Sequence, residues 1–124
     1  MEQSYYERLP IYKTAMELLV NLDMIGRSIS RYHRYGIGAQ MRSEAFILIR
    51  LVVQANRSND RAQKVLELCE HLQEMRLICN IAKEVQAFQS FDQFMLVMEQ
   101  VINLTRQAEG WRKSLLLKRP ETLR

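Results

Sequence analysis

The twenty residues at 37–56, "IGAQMRSEAFILIRLVVQAN", decide how the rest of the chain is read. Gly38, Met41, Ala45, Leu48, Val52 and Ala55 recur there at alternating steps of three and four, the spacing of one face of an α-helix. Strand-like alternation is absent, here and in the rest of the 124 residues. One stripe does not exhaust the apolar content, however. Within "AFILIRLVVQA" (45–55) only Arg50 and Gln54 are polar, and a helix that is apolar on every side is buried on every side.

The same periodicity runs outward in both directions. Upstream, Pro10 suits the first position of a helix, and Ile11, Ala15, Leu18, Leu22, Ile25 and Ile29 predict one at about 10–31. Gly36 then fits a left-handed helix end. Downstream, "NRSND" (56–60) is turn chemistry with Ser58 or Asn59 as helix cap. Val65, Leu68, Leu72, Met75, Cys79 and Ala82 form the stripe of a helix at about 60–87, with Glu67, Glu70 and Glu74 opposite as a solvated face. "SFDQ" (90–93) reads as a capping box of Ser90 with Gln93, opening a helix at about 91–115 ahead of a basic tail at 116–124. Short connections make successive helices antiparallel. The expectation is a single all-α domain over 1–124, an antiparallel up-and-down four-helix bundle.

Such a bundle leaves the outer face of every helix in water. The second helix and the fourth, "FMLVMEQVINL" at 94–104, carry too much apolar surface for that, and the economical cover is another copy of the chain. Phe46, Ile47, Arg50 and Val53 mark the expected oligomer interface. Arg50 lies roughly 180° around the helix from Met41, so its guanidinium needs a counter-charge across that interface or a ligand facing it.

Chemistry-bearing motifs are scarce. No glycine-rich phosphate loop, nucleophile motif or export signal is present, and no apolar run reaches the roughly 18 residues that cross a membrane. Di-iron bundles use Glu-x-x-His on two helices, whereas Glu67 precedes His71 by four residues and only once. Glu70, His71 and Glu74 therefore read as surface residues, and no metal or cofactor is expected. Cys69 and Cys79 are too far apart on one helix to bridge each other and read as buried thiols of a reducing, cytoplasmic protein. A non-enzyme is the expectation.

Charge is the remaining signal. The formal net charge is +4, yet residues 27–66 and 112–124 are strongly basic while the segments before and between them are acidic. Thirteen of the 18 basic residues are arginine, whose planar fork suits phosphate and carboxylate. "RSISRYHRYGIG" (27–38) interleaves Arg27, Arg31 and Arg34 with Tyr32 and Tyr35, which can stack on unpaired bases or pack over a helix end. Arg42 continues that series. Up-and-down topology sends Arg57, Arg61, Lys64, Arg112, Lys113, Lys118 and Arg119 to the opposite end. All eleven are candidate nucleic-acid or partner-binding residues.

The run from "LPIYKTAMELLVNL" (9–22) through "RSISRYHRYGIGAQM" (27–41) to "QANRSNDRAQKVLELCEHLQEMRLICNIAKE" (54–84) resembles the accessory variability determinant proteins of diversity-generating retroelements. Relatives of that family are encoded within intervening sequences of ribosomal RNA genes. The resemblance covers about residues 5–115 and includes Gly110–Trp111. It implies a pentameric ring of four-helix bundles that binds RNA or DNA through basic surfaces and partners a reverse transcriptase in mutagenic retrohoming. Family members often carry proline where this chain has Ser30, which leaves room for a later or less rigid connection here. The alternative from another class is an oligomeric helical scaffold whose basic patches contact an acidic protein.

Overall fold

The computed structural model describes residues 7–122, with side chains as far as 117. Its elements are α1 (Pro10–Ser28), the single turn α2 (Arg31–Arg34), α3 (Ile37–Arg57), α4 (Arg61–Glu84) and α5 (Phe91–Thr122). No strand occurs among the described residues, and no helix there is long and apolar enough to cross a membrane.

The four long helices pack in a closed circuit, α1 on α3 and α5, and α4 on α3 and α5. Two polar bonds fix the sense of one pair. Gln107 donates to Thr14 at 2.9 Å and Asn21 donates to Gln100 at 2.9 Å, so seven residues forward on α1 is seven back on α5. The axes are therefore antiparallel, as short connections require. Every residue of the three expected apolar stripes is buried, from Ile11 to Ile29, Gly38 to Ala55 and Val65 to Ala82. Phe94, Val97, Val101, Leu104 and Ala108 of α5 complete the core. Each large side chain buried this way contributes about 1.5–3 kcal/mol.

The helix ends differ from the expectation in instructive ways. The first helix stops at Ser28, not near residue 31. Ile29 and Ser30 are extended (φ −72°, ψ 146° and φ −56°, ψ 152°), and Ser30 then caps α2 by accepting from the His33 N–H. Arg34 reaches back to donate to the carbonyls of Arg27 and Ile29, occupying acceptors that a continuing helix would have used. Ile29 stays in register with the apolar stripe and stays buried, which is why periodicity overran the break. Gly36 is not left-handed; it precedes α3 with φ −101°.

Asp60, rather than Ser58 or Asn59, caps α4 by accepting from the Gln63 N–H at 3.2 Å, while the Ser58 hydroxyl accepts from the Asp60 N–H at 2.9 Å. At the other end α4 closes on Gln86, the non-glycine residue with positive φ (60°) among those described. The Ala87 N–H bonds to the Ala82 carbonyl and the Gln86 N–H to the Lys83 carbonyl, the paired bonds of a Schellman turn. Ser90 does accept from the Gln93 N–H at 3.1 Å, but Gln93 returns the favour to Gln89 (2.9 Å) instead of Ser90. Phe94 sits below, edge-on to Phe88 and beneath the Lys83 ammonium, and pins the α4–α5 turn.

The helix expected to end near 115 continues through the basic tail as far as Thr122, since "WRKSLLLKR" consists largely of good helix formers. Gly110 lies inside that helix with open space where a side chain would be.

Candidate functional site

Antiparallel packing divides the basic residues between the two ends of the bundle. At the first end, α1 finishes, α2 turns and α3 begins. Arg27 is exposed and pairs with Asp23 at 3.1 Å, and Arg31 is exposed with no ion pair among the described residues. Arg34 and Arg42 are half-buried and committed to the backbone. Arg34 holds the α1 carbonyls, and Arg42 donates to the Arg34 carbonyl at 3.2 Å. The Arg42 side chain can lie there because Gly26 presents no Cβ; one built on it would come within 3.0 Å of Nη1, whereas one built on Gly38 would meet the His33 carbonyl at 2.9 Å. Part of the arginine series thus has a structural job that composition does not reveal. Tyr32 and Tyr35 are 84% and 72% exposed, so neither packs over the helix end.

At the second end, the end of α3, the start of α4 and the late turns of α5 meet. Arg61 donates to the Asn56 carbonyl at 3.2 Å and, with Trp111, lines a cleft of about 500 Å³ against Leu9 and Pro10. A second groove of about 590 Å³ runs between α4 and α5 over Leu66 and Cys69 and is edged by Arg106, Arg112 and Lys113, with Glu109 beside them. Arg57 is exposed nearby in sequence at the α3 terminus, and Lys64 pairs with Glu67 at 3.6 Å. The topology therefore brings together Arg57, Arg61, Lys64, Arg112 and Lys113. Lys118 and Arg119 have side chains outside the described residues. Arg106 was missed, although it stands seven residues before Lys113 and so shares its helix face.

The thiols are protonated at neutral pH. Burial pushes Cys79 from 9.0 up to about 12. Cys69 is half-buried and raised by burial first, then by the charge of Glu109, with Arg112 pulling the other way. His71 is not a free surface residue. Its Nδ1 lies 2.6 Å from Oε2 of Glu44, a buried carboxylate on α3, so the pair clamps α3 to α4. No group of three or more His, Cys, Asp or Glu among the described residues can hold a metal ion.

The outer apolar surface is broader than the second and fourth helices suggest. Phe46 is 58% exposed, Ile47 and Val53 are half-buried, and Arg50 is exposed with no ion pair among the described residues. Val20 and Met24 of α1 face Leu96 of α5 across a groove of about 680 Å³, and Leu77, Ile81 and Val85 form an exposed row on α4. No protein-family model matches the chain, and no curated protein matches it.

Proposed function

We propose that this chain is a non-catalytic accessory protein of a diversity-generating retroelement. It assembles into a homo-oligomeric ring in the cytoplasm, a pentamer by its resemblance, binds RNA or DNA through its arginine-rich ends and partners the reverse transcriptase. The observation that carries the reading is the gathering of Arg57, Arg61, Arg106, Arg112 and Lys113 around one end of the bundle, none with an ion pair among the described residues. Cations left unpaired and exposed meet phosphate at little desolvation cost. Ring assembly multiplies such contacts, and the exposed faces around Phe46, Val20 and Leu77 supply apolar surface for it. Tyr32 and Tyr35 add stacking surfaces at the other end.

Two measurements test this. Light scattering on a sizing column should return a multiple of 14.7 kDa. A gel shift with single-stranded RNA and DNA should show affinity falling with salt, at a logarithmic slope of roughly −0.7 to −0.9 per phosphate contacted and with little sequence preference. Replacing Arg57, Arg61, Arg112 and Lys113 together should weaken binding to all sequences and flatten the slope. A monomer, or no shift near ~0.1 M salt, overturns the reading; retention of an acidic protein in its place would make the chain a scaffold.

A further inference from the structure

At the α1–α2–α3 junction a small cleft of about 170 Å³ is lined by Asp23, Gly26, Arg27, Arg34 and Arg42. Three guanidinium groups face one carboxylate there. Two of the three are held in place by backbone bonds, Arg34 on the Arg27 and Ile29 carbonyls and Arg42 on the Arg34 carbonyl, and each of these uses one Nη2. Among the described residues their remaining N–H groups meet no protein acceptor, and the Nε–H of Arg34 is buried out of contact with solvent. Arg34 occupies the carbonyls of Arg27, in the last turn of α1, and of Ile29 just beyond it, which would otherwise repel an anion.

We propose that this cleft is a discrete oxyanion seat that takes a single phosphate group. The cleft is open to solvent, and its volume of about 170 Å³ admits a phosphate group. Planar arginine forks suit tetrahedral oxygens, and Arg42 is held in place because Gly26 leaves room for its Nη1 against the backbone. Asp23 competes for Arg27 through its bond to that guanidinium at 3.1 Å. The site stands apart from the end that carries the nucleic-acid reading and extends that reading only if the phosphate belongs to a nucleic-acid backbone.

The competition with Asp23 supplies the test. Arg34 and Arg42 variants risk the fold, whereas Asp23 and Arg27 are exposed. Inorganic phosphate titrated into the protein at constant ionic strength should shift the Gly26 and Gly38 amide resonances saturably, while chloride does not. Asp23→Asn should tighten phosphate by about three- to tenfold, the effect of one unit charge a few ångström away in a solvent-reached cleft, and Arg27→Gln should weaken it by a similar factor. A purely structural cluster predicts no gain in Asp23→Asn. Absence of saturable shifts up to tens of millimolar phosphate, or identical affinity in both variants, overturns the proposal. An oligonucleotide lacking terminal phosphates separates the sources. If it displaces inorganic phosphate, the seat takes a backbone phosphodiester; if it does not, the seat takes a free or terminal phosphate. Phosphate binding without any oligonucleotide binding would keep the seat and defeat the nucleic-acid reading, and a gel shift without phosphate binding would do the reverse.

Discussion

The Glu44–His71 clamp makes a quantitative prediction. Glu44 is 7% exposed, and among the described residues its side chain bonds to an imidazole whose own side chain remains 40% exposed. Removing the imidazole with His71→Ala strands a buried carboxylate. Full burial of such a charge would cost about 3–5 kcal/mol. The vacated imidazole opens the site to water, however, which brings the cost toward the 1–3 kcal/mol range of an unsatisfied polar group. About 2 kcal/mol is expected, or roughly 6–10 °C in Tm for a chain of this length. Glu44→Leu leaves the imidazole at a hydrated surface and should cost about 1 kcal/mol or less. The double variant Glu44→Leu/His71→Leu exchanges the pair for apolar contact between α3 and α4 and should lie within about 1 kcal/mol of the parent. With His71→Leu as the second single variant, the parent, Glu44→Leu and the double variant close a double-mutant cycle with a coupling of about 1–2 kcal/mol. Urea midpoints at equal subunit concentration measure it, because oligomerisation makes apparent stability depend on concentration. Single-variant costs that add to within about 0.3 kcal/mol of the double variant would refute the clamp and return His71 to the surface.

Two other perturbations test the helix break and the core thiol. Ser30→Pro should be tolerated, within about 1 kcal/mol of the parent in either direction by thermal melting, since φ −56° and an extended Ile29 already suit proline; the entropy gain of about 0.4–1 kcal/mol offsets loss of the weak 3.4 Å cap on His33. Cys79 holds its proton in the folded state up to about pH 12 but only to 9.0 when unfolded, so the folded state binds more protons above pH 9 and stability falls as pH rises from 9 toward 12, by up to ~1.4 kcal/mol per unit. Cys79→Ala should flatten that decline in urea midpoints taken at pH 8 and 10.5; an unchanged slope would assign it to other groups.

Helix periodicity carried most of the fold, because each stripe is a local property: Leu18, Leu48, Leu72 and their neighbours are fully buried where three- and four-residue steps place them. Helix ends were less legible because they depend on which group reaches an orphan N–H or carbonyl first. Asp60 outcompetes Ser58, and Arg34 terminates α1 from six residues beyond its end. The same competition governs the basic residues. A sequence records that Arg27, Arg31, Arg34 and Arg42 are close together, but only tertiary structure separates exposed Arg27 and Arg31 from Arg34 and Arg42, which stabilise a turn. Counting arginines therefore does not reveal which of them are tied to the backbone at the first end, and it overlooks the second, where Arg106 joins Arg112 and Lys113 across two turns of α5. Glu44 was invisible for a related reason. It lies beside Ala45 in an apolar stripe, and its hydrogen-bond partner is 27 residues away on another helix. Arg50 poses the same question in reverse, an exposed cation amid apolar neighbours with no ion pair among the described residues of its own chain. If a second copy covers Phe46 and Val53, Arg50 must find its carboxylate or carbonyl there, and Arg50→Met will then weaken the assembly less than loss of that partner group, which would leave the guanidinium buried and alone.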